Sequence, residues 1–399
     1  MPAGPVPRAR GRPARGLTDG FTDHPERVAR TPVAIVGAPG LDAEVAMPEP
    51  IVLSLTDGVR LHGARSGPAD APLTVVLLHG WTLDGRIWHR QVAALRAASD
   101  PPLQVVTYDA RGHGRSGPAT LRSATLARLG DDLAEVLAQV APHGPVVLGG
   151  HSMGGMTILE YAHRHPDDFA RRVAGLVLVS TTAEGHAHTH YGVSPQLARM
   201  IRVAETTGAG LLARCGGLRP PRPLLHVLQP TLRWLLFGTV CRPADLRLTA
   251  AAVARATLVA IGGFRPSIGA QQRLETLATL ADVPAAILVG DRDRLTPPPC
   301  ALSIVEALPS ITLTVCPGAG HMLTLERPDE VTAALRAVAG RAVARTAGTV
   351  STTGTSAAPA AATPVTGDDV PSPGATGDVT AVLRQRPPGR EGTFRGACP

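Results

Sequence analysis

A mostly parallel, doubly wound α/β sheet with an inserted helical cap is the architecture predicted by this 399-residue sequence. Three observations predict it. Short apolar, β-branched runs alternate with amphipathic stretches, the pattern of parallel strands covered on both faces by crossover helices. That rhythm fails once, over residues 184–280, where helical patterns dominate, and then resumes for two further strands. Both ends of the chain lack periodicity, which confines the folded part to about residues 50–340.

Residues 1–49 are rich in Pro, Gly, Ala and Arg and read as a disordered lead-in. "IVLSLTDGVRLHGAR" (51–65) sets two alternating segments around Asp57-Gly58, a hairpin signal. "LTVVLLHG" (73–80), a helix over 87–98, "LQVVTYD" (103–109), a helix over 122–140, "PVVLGG" (145–150), a helix over 153–164 and "VAGLVLVS" (173–180) complete a first core segment, 50–183. The cap, 184–280, contains "PQLARMIRVAETTGAGLLARC" and "DLRLTAAAVARATLVAIGGF". A second core segment, 281–340, holds "VPAAILVG" (283–290), a helix over 299–308, "ITLTVCPG" (311–318) and a closing helix over 328–339. Residues 341–399 dissolve into Ala, Thr, Pro and Gly, with too few large apolar groups to offset the entropy of ordering, and read as a disordered tail.

Composition narrows the function. The net charge is +7, yet the chain contains no Lys, and its 39 arginines form no tract alternating with aromatics. With aromatics at 3%, platforms for stacking bases are scarce, so nucleic-acid binding is not expected. Five scattered cysteines (215, 241, 300, 316, 398) suggest neither a zinc site nor a disulfide framework. The longest apolar patch, Leu224 to Gly238, is interrupted by Gln229, Pro230 and Arg233 and falls short of the about 18 uncharged residues of a membrane span, so no stable membrane insertion is expected. An Arg-rich N-terminus without a prompt apolar segment argues against a secretory signal, and a cytoplasmic location is expected. The oligomeric state leaves no mark on the sequence.

In open α/β sheets, ligands bind beyond the carboxyl ends of the strands, so the residues placed there carry the functional signal. Those ends supply His79-Gly80-Trp81, then Ser152 in Gly150-His151-Ser152-Met153-Gly154, then Asp291 and Asp293, then Gly320-His321. G-x-S-x-G lets a strand turn sharply into a helix and expose the serine hydroxyl. In a chain with 43 glycines the pattern alone is weak; the strand before it, the helix after it and the order Ser, Asp, His give it weight. Two other motifs are read as structural. G-x-G-x-x-G at 112, 114 and 117 is followed by Pro118 and more loop, so it is read as turn-forming and not as a dinucleotide site. His186, His188 and His190 alternate as a metal site on a strand would, but no cysteine or acidic pattern completes a ligand set; a solvated loop and no metal are expected. His113 and His151 are read as structural or pocket-lining.

The chain resembles the α/β-hydrolase family over about residues 51–340. "VVLLHGWTLDGRIW" is similar to the family's oxyanion segment, "YDARGHGRSG" (108–117) to the loop after its next strand, and "GAGHMLTLERPDEV" (318–331) to its histidine loop. The resemblance implies Ser152 as nucleophile, His321 as the base that takes its proton, and an acid that orients the imidazole. The family's G-x-x-D-x-x-x-P loop matches Gly290, Asp293 and Pro297 and favours Asp293 over Asp291. It further implies an oxyanion hole made by the backbone N–H groups of Trp81 and Met153, and no cofactor. A serine at the elbow, where relatives that open epoxides or remove halides carry aspartate, fits hydrolysis of a carboxylic ester, a thioester, a lactone or a carbon–carbon bond. The Leu-, Ala- and Val-rich cap favours a small apolar ester in the esterase and monoacylglycerol-lipase manner. An acyltransferase or perhydrolase on the same triad, and a non-catalytic receptor on the same fold, are the alternatives.

Overall fold

The computed structural model describes residues 48–97 and 102–352. The expected lead-in to residue 47 and the tail from residue 353 lie outside the described residues.

Strands β1 (Glu49–Ser54), β2 (Arg60–Ser66), β3 (Thr74–Leu78), β4 (Gln104–Tyr108), β5 (Val146–His151), β6 (Val173–Val179), β7 (Ala285–Gly290) and β8 (Thr312–Cys316) form one sheet, ordered β1-β2-β4-β3-β5-β6-β7-β8. The pairs from β4 through β3, β5, β6 and β7 to β8 are all parallel, while β2 runs antiparallel to β4. At Asp57-Gly58 the chain reverses between β1 and β2, with Gly58 at φ 83°.

Side chains on a strand alternate between faces, and here both faces are covered, so the central strands are apolar throughout. Val76, Leu78, Leu148, Leu176, Leu178 and Ile287 belong to one core, with α2 (Leu126–Val140), α3 (Met153–Arg164) and α10 (Pro298–Ala307) packed on it. Their neighbours Val75, Leu77, Val147, Val177 and Leu288 belong to the opposite core, under α1 (His89–Ala97) and α12 (Pro328–Thr352). Each fully buried Leu or Val contributes about 1.5–3 kcal/mol, so the two layers account for most of the cohesion of the sheet.

Between β6 and β7 lie α5 (Pro195–Arg214), α6 (Arg222–Leu236), α7 (Pro243–Val253), α8 (Leu258–Ala270) and α9 (Leu274–Ala278), the inserted helical segment. A third apolar cluster, Val259, Ala260 and Phe264 of α8 against Met153, Met156, Leu126 and Ala124, seats this segment over the carboxyl ends of the strands.

Two elements depart from expectation. A short helix, α4 (Pro166–Arg172), precedes β6; Pro166 opens it and Asp167 and Asp168 occupy its first turn. The closing helix does not stop at 340. It runs on to Thr352, and Ala342 is fully buried in the second core, because Val338 and Ala342 keep an i, i+4 spacing and Ala and Arg sustain the helix across Gly340. α11 (Leu323–Glu326) is a single turn after the histidine loop.

Candidate active site

Ser152 is the hinge between β5 and α3. Its backbone sits at φ 52°, ψ −117°, a region that non-glycine residues enter only under constraint. The constraint is visible: Ser152 N–H donates to the Val179 carbonyl at 2.9 Å, and the Thr181 hydroxyl donates to the Ser152 carbonyl at 2.7 Å. The flanking glycines permit the turn. A Cβ on Gly150 would lie 2.5 Å from the Gly155 nitrogen, and one on Gly154 would lie 2.4 Å from the Leu78 carbonyl oxygen.

His321 lies in the loop after β8, buried, with its backbone N–H donating to the Leu236 carbonyl at the end of α6. Its Nδ1 is 2.8 Å from Asp293 Oδ2. A carboxylate only accepts, so Nδ1 carries the proton and Nε2 is left as the acceptor. Asp293 is itself oriented: Oδ1 accepts from the backbone N–H groups of Leu295 and Thr296, both at 2.9 Å, and Oδ2 accepts from the Thr296 hydroxyl at 2.9 Å. Burial pushes the Asp293 carboxyl up, but the adjacent His321 and the Thr296 donors outweigh it and hold the carboxyl below its ordinary value. Asp291 points elsewhere. It is exposed and accepts from Gly318 N–H at 2.7 Å, tying the end of β7 to the turn after β8.

Ser152, His321, Trp81 and Met153 line one cavity of about 250 Å³. Met153 opens α3, where the first N–H groups have no partner within the helix, and the segment containing Trp81 closes on the serine: a Cβ on Gly80 would lie 3.1 Å from the Ser152 Cβ. Leu83, Leu232, Leu235, Leu236, Val253 and Ile268 make the wall mainly apolar. Side chains from the cap also reach the cavity, and sequence reasoning passed over them. Arg265 of α8, buried within an otherwise apolar helix, donates to the Tyr191 hydroxyl at 2.7 Å, pairs with Glu205 and His186, and stacks on the Trp81 ring at 5.7 Å. The lone arginine in "VAIGGFRPSIG" was the available signal.

The model of the alpha/beta hydrolase family matches residues 75–334, which includes every residue of the cavity named above. The chain belongs to the alpha/beta hydrolase family. Among its relatives, the monoacylglycerol lipase of Mycolicibacterium smegmatis is 28% identical over 66% of this chain and 86% of its own length. The pimeloyl-acyl-carrier-protein methyl ester esterase of Chromobacterium violaceum is 30% identical over 65% and 92%. In fold, the thermophilic esterase of Thermogutta terrifontis superposes with a TM-score of 0.56 at 24% identity, over 74% of this chain and 99% of that one.

Three further histidines of this hydrolase hold loops. His79 Nε2 accepts from Ala110 N–H at 2.9 Å, joining the loops after β3 and β4. His113 Nε2 accepts from Thr82 N–H at 3.2 Å, which fixes the Trp81 segment where Thr82 takes φ 62°. His151 Nε2 lies 2.9 Å from the His321 carbonyl and steadies the histidine loop from below. Gly112 and Gly114 take positive φ in turns, and α2 opens only at Leu126, so the G-x-G-x-x-G run meets no helix. The "HAHTH" histidines diverge: His186 meets Arg265 in the cavity, which a solvated loop did not anticipate, His188 lies near Glu184 and Ser303, and His190 is exposed. Among the described residues no cluster suited to a metal ion is present, and no single helix is long and apolar enough to cross a membrane.

Burial pushes the imidazoles of His113 and His151 down to about 3, so both are neutral in the folded protein, whereas in the unfolded chain they titrate near 6.5. Between those values the unfolded chain binds more protons, so this contribution to stability is complete above about pH 6.5 and is lost as pH falls toward 3. With two such groups the slope approaches about 2.7 kcal/mol per pH unit near pH 5. Urea midpoints measured from pH 7.5 to 4.5 are therefore expected to drop steadily below pH 6. A midpoint unchanged down to pH 4.5 would contradict the buried neutral state.

Proposed function

We propose that this hydrolase cleaves a small, largely apolar carboxylic ester through an acyl-enzyme, with Ser152, His321 and Asp293 as its triad. The reading rests on one observation: Asp293 fixes the Nδ1–H tautomer of a buried imidazole that shares a single cavity with a serine held on a strained elbow. Ester and acyl hydrolysis by the relatives supports the reaction class.

Ser152 Oγ attacks the ester carbonyl while His321 Nε2 takes its proton. The tetrahedral oxyanion is held by the N–H groups of Met153 and Trp81, each such donor being worth about 3 kcal/mol in the transition state. Collapse expels the alkoxide, which takes the serine's proton from His321. Water then gives a proton to the same nitrogen as it attacks the acyl-enzyme, and the second collapse releases the acid and returns that proton to Ser152 Oγ. At about 250 Å³ the cavity lies below the usual range for drug-sized ligands, about 300–1,000 Å³, and suits a short acyl or aryl group.

Two measurements test this. A fluorophosphonate probe should label the protein at Ser152 alone, read by peptide mass. Turnover of p-nitrophenyl esters from two to twelve carbons should peak at short or medium length; each methylene is worth about 1–3 kcal/mol of discrimination, so neighbouring lengths are tolerated and the longest are excluded by volume. A protein neither labelled nor active at any length would return the fold to a receptor role.

A further inference from the structure

Ten of the thirteen large apolar side chains exposed among the described residues fall between Leu197 and Val240. The same stretch, residues 195–242, contains seven arginines and one carboxylate, Glu205, and so holds +6 of the chain's net charge of +7. We propose that this face of the cap, built on α5 and α6, is a docking surface for an anionic lipid membrane.

The helices show why these side chains face outward. α5 buries Ala198, Ala209 and Ala213 where it packs beside α8. At 100° per residue, Leu197, Met200, Val203 and Leu211 fall within about 120° on the other side of the helix, each 45–68% exposed. α6 turns Leu232, Leu235 and Leu236 toward the cavity and exposes Val227, Thr231 and Trp234, an i, i+4, i+7 row. Arg199, Arg214, Arg219 and Arg242 are exposed among them.

Charge selects the occupant. A second copy of the chain would bring two faces together, each with the exposed Arg199, Arg214, Arg219 and Arg242, which repels. Nucleic acid would engage the arginines through its phosphates but would leave the exposed apolar side chains without a partner, and Trp234 alone offers little for stacking bases. An anionic membrane satisfies both features at once: headgroups receive the arginines, and the headgroup–acyl boundary receives the apolar side chains, with a tryptophan at the depth it favours. α6 would then have one face on the lipid and the other on the cavity. The surface stands independently of which bond the hydrolase cleaves.

Flotation of the full chain with vesicles tests it, using phosphatidylcholine alone or with about one-third phosphatidylglycerol. Each arginine near an anionic surface raises partitioning about fivefold, so the gain on the anionic vesicles should reach at least about 25-fold and should largely vanish in 0.5 M salt. The double variant Met200→Asp, Val203→Asp should lose at least tenfold, and Arg199→Gln with Arg214→Gln should lose selectivity for the anionic vesicles. Both variants lie outside the cavity, so turnover of a water-soluble ester should be unchanged, which shows that they fold and reports separately on the hydrolase reading. Equal partitioning onto both vesicles, or none, overturns the proposal. So does a dimer by light scattering that the aspartate variant dissolves, or binding only to an acidic protein.

Discussion

Ser152→Ala is expected to lower ester turnover by about a millionfold while leaving the protein folded and able to bind its ester. The size of the loss follows from the proposed triad: without the nucleophile, His321 and Asp293 have no proton to move, and removing the serine alone costs nearly as much as removing all three members. What survives is the stabilisation of the oxyanion by main-chain N–H groups, worth about a thousandfold over water, because no side chain of Ser152 takes part in it. The elbow itself should persist. Alanine tolerates φ 52° no worse than serine, and the bonds that hold the turn, from Ser152 N–H to Val179 and from Thr181 to the Ser152 carbonyl, are made by the main chain at that position. Initial rates on the best p-nitrophenyl ester and a urea titration of both proteins provide the check. A variant retaining a tenth of the activity with unchanged stability would move the chemistry to another group in the cavity.

What could be read from the sequence was whatever has a local signature. A parallel strand buried on both faces is a short apolar run, so β3, β5, β6 and β7 are legible from their own residues. Ser152 is legible because the backbone clash at Gly150 and Gly154 forces glycine to bracket it. His321 follows the last strand in a loop with its own pattern. Features made by residues distant in sequence were not legible. Arg265 meets His186 across 79 residues and Glu205 across 60, and no periodicity links such positions. α4 is only seven residues long and lies between two stronger elements, and the far end of α12 is Ala-rich, a composition shared by helix and tail. The two acids after β7 differ in placement through turn geometry. Asp293 N–H donates to the Gly290 carbonyl at 3.2 Å, which turns the Asp293 side chain inward, while Asp291 remains on the rim.

That distinction carries the second large effect. Asp293→Asn is expected to reduce turnover about ten-thousandfold, and Asp291→Asn less than about threefold. An asparagine at 293 keeps the volume, and its carbonyl oxygen can still accept from the N–H groups of Leu295 and Thr296, so the loop should hold. Toward His321, however, the amide nitrogen donates where the carboxylate accepted at 2.8 Å. Nδ1 must then accept, the ring proton moves to Nε2, and the nitrogen facing the cavity can no longer take the serine proton. The negative charge that steadies the imidazolium is lost as well. At 291 the same replacement retains an acceptor for Gly318 N–H, on an exposed rim where a lost charge is well solvated. Turnover numbers for both variants on one ester, with fluorophosphonate labelling rates alongside, separate the outcomes. Labelling should slow in parallel with turnover at 293, since it needs the same activated hydroxyl. A large loss at 291, or comparable losses at both positions, would mean that the imidazole is oriented by a different acid from the one proposed.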